Sequence, residues 1–419
     1  MARPLSLEAY RAATAALEPA APLLLGGRAR RGKEDAARLG ERTGHASLPR
    51  PDGPLVWLHA VSVGEGVSLL PLVERIRSER PAVALLVTSG TRTSAELLSQ
   101  RLPAGAIHQY APIDAPGAVA RFLDHWRPQV GLFVESELWP NLILAASERA
   151  VRLALVSARM TQASADGWRR APAAARAVLG AFDLILAQDA DTAIRLASLG
   201  REAEGRLNLK RVGAPLEADP AEVAQLRAAI GQRPVVLAAS THPGEEALIT
   251  GCAMPGRPLR IIAPRHPDRG DTIAAELALW RFAVARRSQG QWPAPGVDVY
   301  LADGLGEMGL FYGLADVVVM GGGFVETVGG HNPMEAARLG RGVVSGPHVA
   351  NHAEVYAELA AAGGALIVQS PTELAQALAA LIADPERARA MGGRAFAFSA
   401  VQGQAFEAGW RAIEPLLPA

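Results

Sequence analysis

VVVMGGGFVETVGGHNPMEAARLGRGVVSGPH, residues Val317–His348, is the stretch that decides the predicted fold. The apolar letters VVVM predict a short buried strand, the glycines that follow predict a loop, and HNP opens a helix. Asn332 suits the position before the helix, Pro333 the first helical position, and Glu335 the third, where it completes a capping box. Gly340 ends the helix, and GVVSGP predicts the next strand. The stretch is therefore predicted to be a βαβ unit of a parallel sheet.

The glycine loop lies on the side of the predicted sheet where ligands usually bind, because open parallel sheets bind ligands at the carboxyl ends of their strands. A helix that starts there offers free backbone N–H groups to an anion. Two interpretations remain open at this point. The stretch is either an anion seat or a well-capped helix of an ordinary α/β fold, since glycine loops are common in both.

Composition limits the class of protein. The chain has 419 residues and is 49% hydrophobic, which suits two or three domains that each bury a core. Lys plus Arg and Asp plus Glu are both 42, so no overall basic field favours nucleic acid. The single cysteine, Cys252, excludes a disulfide framework and fits a reducing compartment. An anionic partner would have to be bound by a local cluster.

Short apolar runs alternate with helical patterns along most of the chain. LVWLHAVSVGEG and the segments after it predict a doubly wound parallel sheet over about the first 205 residues, and a second series predicts another from Pro220 to about Phe398. A last helix, Gln402 to Glu414, is predicted to pack back on the first domain. The predicted division is a helical segment 1–44, Rossmann-like domains 45–215 and 216–400, and a C-terminal helix 401–419.

The amino terminus combines apolar and basic residues. A helix is predicted over Leu5 to Leu17, followed by an apolar patch, Ala21 to Leu25, and by four basic residues between Arg28 and Lys33. No run approaches the roughly 18 to 20 apolar residues that a membrane span needs. The segment is either a solvated helix face or a surface that rests on an anionic membrane.

Two such domains are expected to face a common cleft, with polar side chains from the strand ends around it. Glu65 follows a strand and begins a helix, so the helix dipole favours its ionised form. The position suits a general base and a helix cap equally well. Glu135 and Glu137 follow another strand, and their spacing does not tell which of them faces the cleft.

The second domain offers groups suited to an anion. STHPGEE starts a helix after a strand, and PRHPDR places Arg265 and His266 at another strand end. Arginine suits phosphate because its planar fork donates twice. No histidine pair has the spacing of a metal site on one helix, so no structural zinc is predicted. The sequence has no GxSxG, P-loop or GxGxxG motif, which disfavours hydrolases, kinases and dinucleotide enzymes.

Several stretches together resemble the 3-deoxy-D-manno-octulosonic acid (Kdo) transferases of Gram-negative bacteria: HAVSVGEG, ESELWPNL, SARMTQAS, AASTHPGEE, APRHPDR, DGLGEMGLFYGLAD, GGGFVETVGGHNPMEAA and SGPH. They occur in the family's order from about residue 23 to the carboxyl terminus. The resemblance implies a GT-B fold, in which two doubly wound Rossmann-like domains face a cleft. It also implies an inverting glycosyltransferase that moves Kdo from CMP-Kdo to the lipid A precursor.

The resemblance assigns roles to particular residues. Glu65 matches the general base, Glu135 a residue that stabilises the transition state, and Lys210 the lysine of a GNLKFD segment that reads LNLKRV here. Ser157 replaces the usual Asn, which affects the acceptor side more than the nucleotide side. Lys210 and Arg159 are candidate partners for the carboxylate of Kdo. The matching CMP-binding residues are Arg265, His266, Gly306, Glu307, Met308, Asn332, Pro333, Met334 and Glu335.

No metal and no separate cofactor are expected, because helix N-termini and positive charge stabilise a leaving CMP. The acceptor is a lipid, which suits peripheral attachment of the amino terminus to the cytoplasmic face of the inner membrane. Two alternatives stay open. One is a sugar-nucleotide epimerase with a GT-B fold, which needs no acceptor, and the other is a non-catalytic sugar-nucleotide-binding paralogue.

Overall fold

The structure, a computed structural model, describes residues 3–213 and 216–418. Contacts divide the chain into two compact units. The first unit is Met1–Gly213 together with Gly403–Ala419, and the second is Ala214–Gln402. The predicted domain boundary at residue 215 lies outside the described residues.

The first unit contains a seven-stranded sheet in the order β3-β2-β1-β4-β5-β6-β7 with every neighbouring pair parallel. Side chains along β1 alternate between two cores: Leu55 and Trp57 pack on one face, Val56 and Leu58 on the other. Burial on both faces explains why these strands are continuous apolar runs. The strands are β1 Leu55–His59, β2 Ala84–Ser89, β3 Ala106–Tyr110, β4 Val130–Val134, β5 Arg152–Ala158, β6 Leu184–Ala187 and β7 Gly205–Arg206.

Helices connect these strands and supply both cores. They are α1 Leu5–Leu17, α2 Ala21–Arg30, α3 Leu39–Arg42, α4 Val63–Glu79, α5 Arg92–Arg101, α6 Pro116–Trp126, α7 Pro140–Glu148, α8 Gln162–Arg169, α9 Pro172–Leu179 and α10 Ala190–Ser198. Several begin at a side-chain cap; Thr91, for example, accepts the N–H of Ser94 before α5. The predicted helix Leu5 to Leu17 is confirmed as α1.

The second unit contains another seven-stranded parallel sheet, in the order β10-β11-β9-β8-β12-β13-β14. Val235 and Leu237 face one core and Val236 and Ala238 the other, so this sheet is also covered on both sides. The prediction of two doubly wound α/β domains is therefore confirmed. The strands are β8 Val235–Thr241, β9 Leu259–Pro264, β10 Val284–Arg286, β11 Val299–Leu301, β12 Val317–Met320, β13 Val343–Ser345 and β14 Ala365–Ile367.

The remaining helices are α11 Pro220–Ile230, α12 Glu245–Thr250, α13 Gly270–Leu279, α14 Met308–Leu314, α15 Met334–Arg338, α16 Ala353–Ala361, α17 Pro371–Ala383 and α18 Pro385–Ile413. The prediction of a separate last helix beginning at Gln402 is wrong, because α18 is continuous for 29 residues. No proline or positive-φ glycine interrupts α18. Its last turns do belong to the first unit, where Trp410 and Ile413 are buried in the core.

The stretch Val317–His348 forms the predicted strand, loop, helix and strand, with one shift at the helix start. Pro333 is the residue before α15 rather than its first residue, and α15 has five residues. The side-chain oxygen of Asn332 accepts the N–H of Met334 at 3.0 Å, so Asn332 caps the helix from one position further out. Proline fixes φ and has no N–H to lose, which suits this turn.

Candidate functional site

Glu65 lies in the first turn of α4, directly after β1, and is bound within its own helix start. Its carboxylate accepts the N–H of Val61 at 2.7 Å and the hydroxyl of Ser62 at 2.7 Å, while Ser62 accepts the N–H of Glu65. This reciprocal arrangement is a complete capping box. The sequence left the base and the cap open, and the structure shows that Glu65 is the cap. A carboxylate with these donors still has free lone pairs for a further proton.

Glu135 follows β4 and is buried beside Lys210. The Lys210 ammonium lies 2.5 Å from a Glu135 oxygen. Glu135 has a φ of 57°, in the left-handed region that non-glycine residues rarely adopt. Such strain at a polar buried residue is typical of functional sites. Glu135 and Lys210, which were named separately from the sequence, are thus brought together by the fold, although they are far apart in the chain.

The segment that carries Lys210 is held by side chains from its own unit. Asn208 accepts the N–H of Lys210 at 3.1 Å, and the Ser157 hydroxyl accepts the N–H of Leu209 at 3.2 Å. Ser157 also has a positive φ, 54°. Arg159 is exposed at the end of β5, and its backbone N–H donates to the carbonyl of Glu135. Ser157 therefore positions the lysine segment, and Arg159 stays available to a ligand.

Glu137 is the second carboxylate after β4; it is half-buried and accepts a hydrogen bond from the Trp139 side chain. Burial raises its pKa to about 7, and the charges of Glu65 and Glu135 add to the rise. Like charges favour the protonated form of one neighbour. The sequence could not choose between Glu135 and Glu137. The structure gives them different environments: Glu135 is ion-paired, and Glu137 titrates near neutral pH.

In the second unit, Glu245 joins the start of α12 to the glycine loop within Val317–His348. Its carboxylate accepts the N–H groups of His242 at 2.9 Å, Gly322 at 2.8 Å and Phe324 at 3.1 Å. Burial raises the pKa of Glu245, and these three backbone donors oppose the rise. Gly322 and Phe324 lie in the loop that was predicted to bind an anionic ligand, and their N–H groups already donate to a carboxylate of the protein itself.

The glycines of this loop are required by close packing. A Cβ on Gly321 would lie 2.3 Å from the carbonyl oxygen of Ser240, and one on Gly323 would lie 2.3 Å from the Ser345 hydroxyl. Gly322 has a φ of 72°. The loop therefore passes against β8 and β13 at distances that only glycine permits.

His242 and His331 form a stacked pair beside this loop. Their Nε2 atoms are 2.8 Å apart and their ring planes differ by 12°. At that distance one nitrogen must donate and the other accept, so the pair cannot hold a proton on both nitrogens. His266 packs edge-on against His242 with ring centroids 6.0 Å apart. Three imidazoles from three strand ends therefore meet in one cluster.

Burial disfavours the charged forms of His242 and His331. Burial lowers the pKa of His331 to about 4, and the charges of His242 and Arg265 add to the effect. Burial also lowers the pKa of His242. Arg265 is exposed, and within residues 3–213 and 216–418 its side chain has no hydrogen bond or ion pair. Arg269, by contrast, is bound to buried Glu246 at 2.9 Å. Arg265 is thus the cation free to meet an anion.

The predicted residues Gly306, Glu307 and Met308 lie at the start of α14. Gly306 has a φ of 82°, as the turn requires. The Glu307 carboxylate accepts from the Arg287 guanidinium at 2.9 Å, and Arg287 also pairs with Glu222. The side chain of Glu307 is therefore committed to an internal ion pair, and Gly306 and the backbone around it are what this segment offers a ligand.

The predicted residues Asn332, Pro333, Met334 and Glu335 have different environments. Pro333 and Met334 are buried, whereas Asn332 and Glu335 are half-buried. Burial raises the pKa of Tyr312 well above its usual range, and the charge of Glu335 beside it adds to the rise. Glu335 thus lies next to the Tyr312 hydroxyl, and Asn332 caps the helix. These contacts organise the site around His331.

A cavity of about 360 Å³ lies at the carboxyl ends of the strands of the second unit. Its walls include Gly244, Glu245, Phe324 and His348. The volume falls within the range of small-molecule sites. Among the described residues, no group of three or more His, Cys, Asp or Glu side chains could hold a metal ion.

Sequence reasoning missed two features of these clusters. The carboxylate bridge from Glu245 to Gly322 joins residues 77 positions apart, and the contact between His242 and His331 joins residues 89 positions apart. The only sequence signal was that STHPGEE and GGHNP both follow strands. The carboxyl ends of parallel strands lie at one edge of a sheet. This rule places the two segments near each other, but it does not tell which of their residues are in contact.

Comparison with known proteins identifies relatives over most of the chain. A family model described as 3-deoxy-D-manno-octulosonic-acid transferase (kdotransferase) matches residues 37–211. A 3-deoxy-D-manno-octulosonic acid transferase of Bordetella pertussis is 37% identical over 395 residues, covering 91% of each chain. A protein of Arabidopsis thaliana named "Probable 3-deoxy-D-manno-octulosonic acid transferase, mitochondrial" is 35% identical over 394 residues, 90% of this chain and 88% of the relative.

A solved structure shares the architecture. The crystal structure of Acinetobacter baumannii MurG matches 84% of this chain and 99% of its own, with a TM-score of 0.52 and 12% sequence identity. At that identity the likeness concerns the fold alone. It agrees with the two doubly wound sheets described above.

Proposed function

The chain belongs to the 3-deoxy-D-manno-octulosonic acid transferase family of glycosyltransferases, and we propose that it moves Kdo from CMP-Kdo to the lipid A precursor with inversion at the anomeric carbon. The observation that carries the proposal is the contrast between the two units. Carboxylates gather at the strand ends of the first. At those of the second lie three imidazoles and Arg265, whose side chain has no partner among the described residues.

The proposed general base is Glu65. It accepts the proton of the acceptor hydroxyl as that oxygen bonds to the anomeric carbon and the bond from this carbon to the CMP phosphate oxygen breaks. Both electrons of the broken bond leave with CMP. The capping box supports this role, because Ser62 and the backbone N–H of Val61 hold the carboxylate in one orientation. Positioned bases of this kind contribute about 10²- to 10⁴-fold.

Glu135 and Lys210 are proposed to serve the sugar. As the bond to CMP breaks, positive charge develops at the anomeric carbon, and a fixed carboxylate nearby stabilises it. The Lys210 ammonium, in contact with Glu135, would meet the carboxylate of Kdo. Arg159, exposed at the adjoining strand end, is the second candidate for that carboxylate. Glu137 adds a group that can gain or lose a proton near pH 7.

The donor nucleotide is proposed to bind the second unit without a metal ion. Arg265 would pair with the phosphate, and the imidazoles of His242, His266 and His331 surround the same strand ends. An anion there would favour protonation of the pair, because opposite charge raises the pKa of histidine. The cavity beside the glycine loop is of the size that a nucleotide monophosphate needs.

A peripheral position on the cytoplasmic face of the inner membrane is proposed for the amino terminus. Leu5, Leu17, Leu23 and Leu24 are all exposed on α1 and α2 or next to them. Arg30, which ends α2, is exposed nearby. Exposed leucines beside basic residues suit an anionic lipid surface. Among the described residues, no helix is long and apolar enough to cross a membrane.

Mass spectrometry of lipid A precursor incubated with CMP-Kdo and the full chain tests the proposal. We expect the precursor to gain the mass of one or more Kdo units, and CMP to be released only when the precursor is present. Consumption of the sugar nucleotide without acceptor would favour the epimerase alternative. Binding of CMP with no turnover of either substrate would favour a non-catalytic paralogue.

A further inference from the structure

A second cavity, of about 850 Å³, lies in the second unit at the opposite ends of the strands from the glycine loop. Pro234, Asp316 and Arg341 line it, and these residues precede β8, β12 and β13 respectively. The cavity is therefore at the amino-terminal edge of the sheet. Helices α11, α17 and α18 supply its other walls. It shares no lining residue with the cavity beside Glu245.

The charge of this cavity is strongly one-sided. Four arginines line it, namely Arg227, Arg233, Arg341 and Arg389, against the single carboxylate of Asp316. Asp316 is in turn bound to the backbone N–H of Val235 at 2.8 Å. The whole chain has equal numbers of basic and acidic residues, so this excess is local. A concave surface with one sign of charge concentrates ligands of the opposite sign.

Three of the guanidinium groups are fixed by carbonyl oxygens rather than by carboxylates. Arg341 donates to the carbonyl of Gly313 at 2.8 Å, and Arg227 donates to that of Leu314. Arg233 donates to the carbonyl of Val297 at 2.6 Å and that of Pro293 at 3.0 Å. Carbonyl oxygens satisfy donors and hold the side chains in place, but they carry no full negative charge. The positive charges are thus oriented and largely uncompensated.

Two of these arginines have donors that no other described residue satisfies. The Nε of Arg341 is buried behind the cavity wall and has no hydrogen-bond partner among the described residues. Arg389, the fifth residue of α18, is exposed, and it has no side-chain partner in the described part of the chain. Buried donors are nearly always satisfied, so an orphan on a charged group needs an explanation. The wall between these arginines is apolar, with Ala228, Leu381 and Ile382.

We propose that this cavity binds a small organic phosphate, with the phosphate between Arg341 and Arg389 and the organic part against the apolar wall. Arginine pairs with phosphate through two parallel N–H donors, which matches the fixed guanidiniums. The site is separate from the donor segments of the same unit. It would let a phosphorylated metabolite bind while the reaction site is occupied.

Calorimetric titration of the full-length protein with phenyl phosphate, and in a second arm with inorganic phosphate, tests the site. We expect phenyl phosphate to bind at least several-fold more tightly than inorganic phosphate, because its ring contacts Leu381. In Arg389→Glu we expect an affinity about tenfold lower, since a charge next to the phosphate is reversed. Arg389 is exposed on a helix, and glutamate is a good helix former, so the substitution is well tolerated.

Arg387→Glu is the matched control, because Arg387 lies in the same turn of α18 with the same charge and does not line the cavity. We expect its affinity to stay within about twofold of the wild type, as screened charges at a distance contribute little. Arg265→Gln, which alters the donor segments, should leave phenyl phosphate binding unchanged.

Three results would overturn the proposal. One is no binding of phenyl phosphate to the wild type, and another is equal loss in Arg389→Glu and Arg387→Glu. The third is binding abolished by Arg265→Gln and retained by Arg389→Glu, which would place the anion at the donor segments. Tight and equal binding of inorganic phosphate would overturn the role assigned to the apolar wall.

Discussion

Glu65 and Glu245 occupy the same place in the two sheets. Glu65 follows β1 and Glu245 follows β8, and each of these strands is the first of its sheet in chain order. Each carboxylate accepts backbone N–H groups at the start of the next helix. The partners differ. Glu65 binds only residues of its own helix start, whereas Glu245 also binds Gly322 and Phe324 in a loop after β12. Glu245 is a bridge within the fold, and Glu65 is not.

The difference shows how one element pattern gives a carboxylate two environments. Both carboxylates accept three donors, but those of Glu245 are all backbone N–H groups, two of them in a distant loop, and Glu245 is only 1% exposed. The donors of Glu65 come from Val61 and Ser62, and Glu65 is 8% exposed, which leaves it more accessible to a substrate. The position of each residue after a strand could be predicted from sequence, but its hydrogen-bond partners could not, because the fold brings them together.

The largest expected effect is on transfer by Glu65→Gln. Glutamine keeps the size of the side chain and can still accept from Val61, but it cannot take the acceptor proton. We expect kcat to fall about 10³-fold, within the range of positioned general bases, with little change in thermal stability. Steady-state rates with CMP-Kdo and lipid A precursor measure this. A Glu65→Gln rate near wild type would remove Glu65 as the base.

Glu245→Gln is the matched variant in the second unit. It weakens hydrogen bonds to three backbone donors, so we expect a loss of about 1 to 3 kcal/mol in the free energy of unfolding. Transfer per folded molecule should fall far less than in Glu65→Gln. Urea unfolding and the same transfer assay check the pair of variants together. Equal loss of activity in both, with stability unchanged, would contradict the division of roles.

Lys210 and Glu135 are expected to act as one unit. Lys210→Ala and Glu135→Gln should each reduce kcat/KM by about 10²-fold, and the double variant should lose less than the product of the two, because residues in contact are not additive. A double-variant cycle on transfer rates measures the coupling. Additive losses would show that the 2.5 Å contact has no part in the reaction.

The imidazole pair predicts a smaller effect of pH on donor affinity. Without ligand, burial lowers the pKa of His331 to about 4, so the pair is uncharged at neutral pH. An anion raises that pKa, and the complex then holds more protons than the free protein. Affinity for CMP should therefore rise as pH falls from 8 to 6.5, by less than tenfold per pH unit. His331→Asn should flatten this dependence in titration calorimetry.

The smallest expected effect is on stability at Glu137. Burial raises the pKa of this carboxyl from 4.5 to about 7, so its contribution to stability is present below pH 4.5 and is lost as pH rises toward 7. Because glutamine does not ionise, Glu137→Gln removes this loss of stability at higher pH. We expect the variant to gain about 1 kcal/mol relative to wild type between pH 5 and pH 8, after allowance for its partial exposure. Thermal unfolding at the two pH values measures it.

Much of the fold follows from the sequence because buried parallel strands are recognisable apolar runs. Val317 to Met320 and the glycines after it predicted the unit that the structure contains. The start of α18 was not predicted correctly. The sequence suggested a helix beginning at Gln402, whereas α18 begins at Pro385 and its residues are divided between the two units. Helix boundaries of this kind depend on tertiary packing rather than on local propensity.

The sequence predicted which residues belong to the candidate site but not which of them are in contact. Glu135 and Lys210 were both named from sequence, and the structure brings them together. Glu307 was named as part of a CMP-binding segment, and the structure shows that its carboxylate binds Arg287, a partner that the sequence did not indicate. Long-range pairs of this kind carry no local signature, because a salt bridge depends on which strand ends share an edge of the sheet.

Titration of the full-length protein with CMP, for Glu65→Ala and Arg265→Gln side by side, tests the separation of chemical base and donor seat most directly. We expect Glu65→Ala to bind CMP within about twofold of wild type although it transfers no Kdo. We expect Arg265→Gln to bind CMP at least tenfold more weakly, since a charge-assisted pair with the phosphate is lost. Weakening of CMP binding by Glu65→Ala as large as that by Arg265→Gln would contradict this separation.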